Sequence, residues 1–137
     1  LKVFNIYKLR TMYKNTPNLG THEVDKSNYL KIGSILRLTK IDELPQLINV
    51  LLGSMSFVGP RPNLYNQLDL INHRSIKGVY KVRPGITGLA QINNIDMSTP
   101  ELLAKIDGEM IQDMSLVNYF KYIMKTVTGS GSGDAIQ

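Results

Sequence analysis

The stretch from Asp42 to Gly53 is the most tightly punctuated in the chain, and it fixes one helix before anything else is read. Leu44, Leu47, Ile48, Leu51 and Leu52 fall at the spacing of a single apolar stripe, which predicts that these five side chains are buried. Pro45 is tolerated only in the first turn, because deeper in the helix it would remove a needed backbone donor. Gly53 is a helix stop. These limits place Asp42 at or just before the N-cap and Glu43 at the first helical position.

Less marked signals surround this helix. Val3 to Leu9 reads as a strand, followed by a polar loop through Thr16-Pro17-Asn18-Leu19-Gly20. Asp25 or Ser27 is a candidate cap for a helix with Leu30, Ile32, Ile35 and Leu36 on its apolar side. Met55-Ser56-Phe57-Val58 reads as a short strand closed by Gly59-Pro60-Arg61-Pro62, with a polar helix from Leu64 to His73 after it. Val79 to Val82 reads as extended, with a turn at Pro84-Gly85 and a second strand at Leu89-Ala90-Gln91-Ile92. Thr99-Pro100-Glu101 opens a helix, cap first and proline at the first helical position. A last helix carries Leu116, Tyr119, Phe120, Ile123 and Val127 on one side, a pattern that suits packing on a core or lying on a membrane surface. The Gly/Ser alternation from Gly129 to Gly133 reads as a flexible tail. Short strands alternating with amphipathic helices predict a compact single α/β domain of the α+β type, not a doubly wound sheet, over residues 1–128 with a tail at 129–137.

Composition narrows the chemistry. A length of 137 residues suits one domain, and 42% hydrophobic content suits a folded core. The absence of Cys excludes a disulfide framework, a thiolate zinc site and a Cys nucleophile. His22 and His73 lie too far apart for a local metal motif. No apolar run approaches the roughly 18–20 residues of a membrane span, and no signal peptide is present. The chain is soluble by composition, but it opens on Leu1 in mid-pattern and reads as a fragment. Residues 1–40 hold eight Lys/Arg against two acidic residues, whereas residues 41–137 hold eight against nine. The basic surplus thus lies ahead of Asp42-Glu43 and points to phosphates, nucleic acid or an anionic membrane, unless it is only a solvated surface.

Three clusters could carry chemistry. Asp42-Glu43 reads as ordinary helix punctuation, as a pair of oxygen ligands for a divalent ion such as Mg²⁺, or as a source of a covalent carboxylate nucleophile. The dyad alone leaves these open. Gly59-Pro60-Arg61-Pro62 holds one Arg between two prolines, a stiff mount for a bidentate phosphate contact or simply a rigid turn. Arg83 stands in a second stiff turn, Val82-Arg83-Pro84-Gly85-Ile86-Thr87-Gly88, and Lys8 and Arg10, two apart, would share one face of a strand. Walker A, GxGxxG, HExxH and G-x-S-x-G patterns are absent. Aromatic residues make up 7% and form no stacking platform beside the basic segment, so nucleic acid is not the expected partner.

Read in order, the motifs have a collective likeness. Tyr7-Lys8-Leu9-Arg10-Thr11-Met12, Arg37 ahead of Ile41-Asp42-Glu43-Leu44-Pro45-Gln46-Leu47, Asn49-Val50-Leu51, Met55-Ser56-Phe57-Val58-Gly59-Pro60-Arg61-Pro62 and Arg83-Pro84-Gly85-Ile86-Thr87-Gly88-Leu89-Ala90-Gln91 closely resemble the bacterial sugar transferases that are monotopic polyprenyl-phosphate phosphoglycosyl transferases. The resemblance runs from about Leu1 to Thr128. It implies transfer of a phospho-sugar from a UDP-sugar to undecaprenyl phosphate with release of UMP, at the cytoplasmic face of a bacterial inner membrane, as the first step of a surface glycan such as capsule or O-antigen. It further implies that Asp42 is the nucleophile, that Asp42 and Glu43 hold Mg²⁺, and that Arg61, Arg37, Arg83, Lys8 and Arg10 bind phosphate. Homo-oligomer formation is compatible with it. Ser54 stands where the family usually has Asp, and Asn93-Asn94 where many members have Gly-Arg. The family's re-entrant membrane helix and following strand would precede Leu1. The competing expectation is a binding-only domain that holds UDP-sugar or anionic lipid without transfer.

Overall fold

The computed structural model describes residues 3–16 and 24–129. In chain order the helices are α1 (Lys31–Leu38), α2 (Gln46–Leu51), α3 (Leu68–Ile76), α4 (Leu89–Ile92), α5 (Pro100–Gln112) and α6 (Leu116–Val127), and the strands are β1 (Ser56–Val58) and β2 (Gly85–Thr87). The strands run parallel, in the register Ser56–Gly85 and Val58–Thr87. A parallel pair needs a crossover of a dozen or more residues, and residues 59–84 provide it through α3 and a 3₁₀ turn at Val79–Lys81. The pair is set by glycines. A Cβ on Gly59 would lie 2.5 Å from the Arg83 carbonyl oxygen, and one on Gly85 would collide with the Gly59 backbone. The two proline-containing turns therefore lie against each other, Gly59 N donating to Thr87 O at 2.8 Å and Gly85 N to Pro60 O at 2.9 Å.

The core sits to one side of this pair. Val58, Ile92, Met110 and Tyr122 form one buried cluster joining β1, α4, α5 and α6, with Leu89, Tyr119 and Ile123 packed against it. Leu70, Ala90 and Leu103 form a second, joining α3, α4 and α5. Thr99 precedes Pro100 at the start of α5 as the spacing predicts, and Ser115 caps α6 by accepting from Asn118 N at 3.2 Å. The outcome is an α/β domain, and among the described residues no helix is long and apolar enough to cross a membrane.

Several local expectations are corrected. Val3 to Leu9 is not a strand: it forms no ladder, and its backbone groups bond instead to Asn49 and to the Asp42 carbonyl. Val79–Lys81 is a 3₁₀ turn after Gly78 at φ 69°, not an extended run. The second strand is Gly85–Thr87, whereas Leu89–Ile92 is helical; a short apolar run has no period long enough to separate the two. The polar helix starts at Leu68, later than predicted, because Gln67 Oε1 accepts from Leu64 N at 2.9 Å and holds a turn there. Asp25 forms a local turn with Ser27 N at 2.8 Å, and Leu30 is the N-cap of α1. The expected loop from Pro17 to Gly20, His22, and the expected tail from Ser130 on lie outside the described residues.

The largest correction concerns which helix faces turn inward. α2 buries Gln46 and Asn49, while the predicted core stripe of Leu44, Leu47, Ile48, Leu51 and Leu52 faces out, Leu51 at 86% exposure. α1 buries Gly33 and Arg37 and exposes Ile32, Ile35 and Leu38. The predicted stripe of α6 is split, Tyr119 and Ile123 lying on the core and Leu116, Phe120 and Val127 outside. For α2 the reason is hydrogen bonding: residues 5–9 have no sheet partner, so a polar helix face is needed to satisfy their backbone.

Candidate active site

Asp42 and Glu43 lie in a 3₁₀ turn at Ile41–Glu43, ahead of α2, with Pro45 as the N-cap of that helix; neither carboxylate is the predicted cap or first helical residue. Lys40, at φ 57°, reverses the chain between α1 and this turn. A side chain in that left-handed region costs roughly 1–2 kcal/mol. The reversal leaves Ile41 and Leu44 outside and Asp42 1% exposed. Gly53, at φ 75°, ends α2 as the sequence predicts.

The carboxylates meet cations from three segments. Lys8 Nζ lies 2.9 Å from Asp42 Oδ2 and 3.6 Å from Glu43 Oε1, so one ammonium serves both. Arg61 Nη2 donates to the same Glu43 Oε1 at 3.3 Å. Asp42 Oδ2 is buried and takes no aligned hydrogen bond among the described residues, Lys8 being its charge partner. Arg37 is buried with its guanidinium 5.0 Å from the centre of the Tyr29 ring, an attraction between cation and π face.

These side chains line one open cleft of about 330 Å³. Lys8, Arg37, Lys40 and Arg61 set four cations against the two carboxylates, while Leu44, Leu47, Phe57, Ile86, Ile123 and Val127 supply apolar wall. The structure thus brings together Lys8, Arg37, Asp42, Glu43 and Arg61. Arg10 is exposed and outside the lining, and Arg83 is exposed with its guanidinium beside Gly53. Ser54 lies near neither carboxylate in the hydrogen-bond pattern; its hydroxyl donates to Asn49 O at 3.1 Å and accepts from Asn49 Nδ2 at 3.3 Å. Asn93-Asn94 closes α4, Asn94 at φ 56°.

A second layer, invisible in the sequence, holds the Arg61 turn. Arg74 is 1% exposed; its Nε and Nη2 donate to Asp107 Oδ2 at 2.9 and 2.6 Å. Its Nη1 donates to Arg61 O at 2.8 Å and Asn63 Oδ1 at 3.0 Å. Tyr80 donates its hydroxyl to the same Asn63 oxygen at 3.1 Å, and burial raises the phenol pKa. Burial also raises the Asp107 carboxyl pKa, with Arg74 opposing the shift. Arg74 and Asp107 are 33 residues apart, and nothing in their local patterns pairs them. Gln46 and Asn49 did leave a trace, two polar residues three apart on one face of α2.

Comparison with known proteins places this geometry. Residues 1–131 match the family described as bacterial sugar transferase. The chain is 39% identical to a UDP-glucose:undecaprenyl-phosphate glucose-1-phosphate transferase of Caulobacter vibrioides, over 90% of the chain and 50% of that protein. It is 38% identical to the uncharacterized sugar transferase EpsL of Bacillus subtilis, over 92% of the chain and 62% of the relative. It is 34% identical to a UDP-N-acetylgalactosamine-undecaprenyl-phosphate N-acetylgalactosaminephosphotransferase of Aeromonas hydrophila, over 94% of the chain and 33% of the relative. The chain therefore spans half of the first relative, 62% of the second and a third of the last. The match over nearly the whole chain shows that the chain belongs to the bacterial sugar transferase family.

Proposed function

We propose that this chain carries the catalytic site of a transferase that moves a sugar phosphate from a UDP-sugar to undecaprenyl phosphate. The observation that carries the reading is one cleft lined by both charge and apolar surface: two carboxylates and four cations, with Leu44, Leu47, Phe57, Ile123 and Val127. Both substrates are anionic at the reacting atoms, and the acceptor is apolar beyond its phosphate. An Asp42 carboxylate oxygen attacks the β-phosphorus of the donor; the bond to the bridging oxygen breaks, UMP leaves, and the sugar phosphate remains on Asp42 as an acyl phosphate. An oxygen of the lipid phosphate then attacks the same phosphorus and releases Asp42.

Attack by an anion on an anionic diphosphate needs fixed positive charge near the reacting oxygens. Arg61, held at its carbonyl by Arg74, presents a guanidinium to Glu43, and Lys8 an ammonium to both carboxylates. Lys8 passes from the carboxylates to the incoming phosphate, uncovering Asp42; Glu43 stays oriented by Arg61. Arg37 contributes a further phosphate contact, while Arg10 and Arg83 act outside the cleft on the approach of anions. The two carboxylates converge on one cationic point, now marked by the Lys8 ammonium, and this donor set suits a hard divalent ion completed by water and phosphate oxygens. Asp42 and Glu43 would hold Mg²⁺, which when bound neutralises diphosphate charge. The apolar residues exposed on α1, α2 and α6 rest on the membrane surface that presents the acceptor, at the cytoplasmic face of the inner membrane, where surface polysaccharide synthesis begins.

The test is mass spectrometry of the full-length protein after incubation with Mg²⁺ and UDP-glucose or UDP-N-acetylgalactosamine, without lipid. The expected result is a phospho-hexose or phospho-N-acetylhexosamine adduct on Asp42. Asp42→Asn should leave no adduct and lower transfer by roughly 10³-fold or more while retaining donor binding. Donor binding with neither adduct nor UMP release in the unaltered protein would favour a binding-only domain, a reading consistent with the burial of Asp42 beneath Lys8.

A further inference from the structure

Lys8 reaches the dyad from residues 3–9, which form no ladder; the one bridge of the segment, Met12–Tyr29, lies four residues on, so the placement of Lys8 itself rests on contacts nearer to it. The side-chain amide of Asn49 lies where that is done. Asn49 Nδ2 donates to Asn5 O at 2.7 Å, and Asn49 Oδ1 accepts from Tyr7 N at 3.0 Å. One amide thus grips the backbone on both sides of Ile6, across more than 40 residues of sequence. On the other side of Lys8, Leu9 N donates to Asp42 O at 2.9 Å. Lys8 is therefore pinned at both flanks, by Asn49 before it and by the main chain of the nucleophile after it.

Asn49 is itself fixed. It is 2% exposed, sits on the inward face of α2, and shares three hydrogen bonds with Ser54. Its amide offers a donor and an acceptor at one reach. Asp at this place keeps the acceptor for Tyr7 N but has no donor for Asn5 O, and Ala has neither. We infer that Asn49 is a positioning residue for Lys8: by gripping residues 5–7 it sets the Lys8 ammonium against the Asp42-Glu43 pair. The inference rests on the transferase reading for its effect on rate, though not for its effect on the backbone.

The test has two readouts on the full-length protein. In hydrogen exchange, Asn49→Ala should lose protection at Tyr7 N–H and weaken it at Leu9 N–H by about tenfold or more, whereas Lys8→Met should leave Tyr7 protected. In transfer from UDP-sugar to undecaprenyl phosphate, Asn49→Ala should lower kcat/KM by roughly 10–100-fold, as loss of an orienting contact does. Combined with Lys8→Met it should add little, because both changes remove the same ammonium from the site. Asn49→Asp, of equal size, should show the same coupling at smaller amplitude and covers the case in which Asn49→Ala folds poorly. Fully multiplicative losses, or unchanged protection at Leu9 in either Asn49 variant, would overturn the inference. If the unaltered protein transfers nothing, the transferase reading fails, and the exchange result alone decides whether Asn49 holds the segment.

Discussion

At the scale of single residues, the acidic and basic side chains divide into those that face the cleft and those that hold its walls. Asp42, Glu43, Lys8 and Arg61 are the first kind, and the motifs they stand in, taken in order, marked them as candidates for phosphate chemistry. Arg74 and Asp107 are the second: a fully buried ion pair that also satisfies the Arg61 carbonyl. Removing one partner of such a pair leaves the other charge buried, so Arg74→Met should cost about 3–5 kcal/mol of stability. The cost should depend on pH in a definite direction. Burial already raises the Asp107 carboxyl pKa, and the guanidinium is what opposes it. Without Arg74 the folded-state pKa lies higher still, so the folded variant gains a proton more readily than the unfolded chain as pH falls. Denaturant titrations should find the Arg74→Met penalty larger at pH 8 than at pH 5, and Asp107→Asn in the same background should remove that difference. No sequence pattern joins residues 74 and 107, because the pairing is made by the packing of α3 on α5 and by nothing local.

At the scale of elements, part of the punctuation was legible and orientation was not: the caps expected at Asp42 and at Asp25 or Ser27 fall instead at Pro45 and Leu30. Gly53 ends α2, Thr99-Pro100 opens α5, and the strand at Ser56–Val58 stands where it was read. These features depend on backbone chemistry within a few residues. Which face of α1 or α2 turns inward depends on what lies opposite, and here that is unpaired backbone and a cluster of charges, so Gln46, Asn49 and Arg37 are buried in place of Leu51 and Ile35. The same reasoning explains the misplaced second strand. Its register is set by the approach of Gly85 to Gly59, a contact between turns, and the apolar run after it was free to be helical. Gly85→Ala should therefore force the two turns apart and cost about 1–3 kcal/mol, as overpacking does. Because those turns carry Arg61 and Arg83, transfer activity should fall by more than the loss of folded protein explains, measured as kcat per folded molecule by circular dichroism and product formation.

At the scale of the whole molecule, the outward leucines and isoleucines of α1 and α2, with Leu116, Val117, Phe120, Met124 and Val127 of α6, leave much large apolar surface uncovered. Exposed apolar area of this kind marks an interaction surface more often than chance. Under the membrane reading, Leu51→Glu with Leu52→Glu should reduce co-sedimentation with anionic phospholipid vesicles by about tenfold or more, while stability changes by no more than about 0.5 kcal/mol, as for exposed positions elsewhere. Equal loss of fold and of vesicle binding would assign these leucines to packing instead. The family was legible from motif order and the domain class from the alternation of short strands and helices; of the seven candidate residues named, five line the cleft. The position of the apolar surface was not, since an amphipathic pattern is the same whether its apolar side meets a core or a bilayer.

The two walls of the cleft are fastened in different ways. Arg61 rides on a turn joined backbone to backbone with the Pro84-Gly85 turn and braced below by Arg74. Lys8 rides on a ribbon held beside it by one side-chain amide and one main-chain bond, and further along by a single bridge from Met12 to Tyr29. The site is thus a vice with one jaw cast into the frame and the other on a short strap, and under the transferase reading the opening that admits a second, bulkier substrate belongs to the strap.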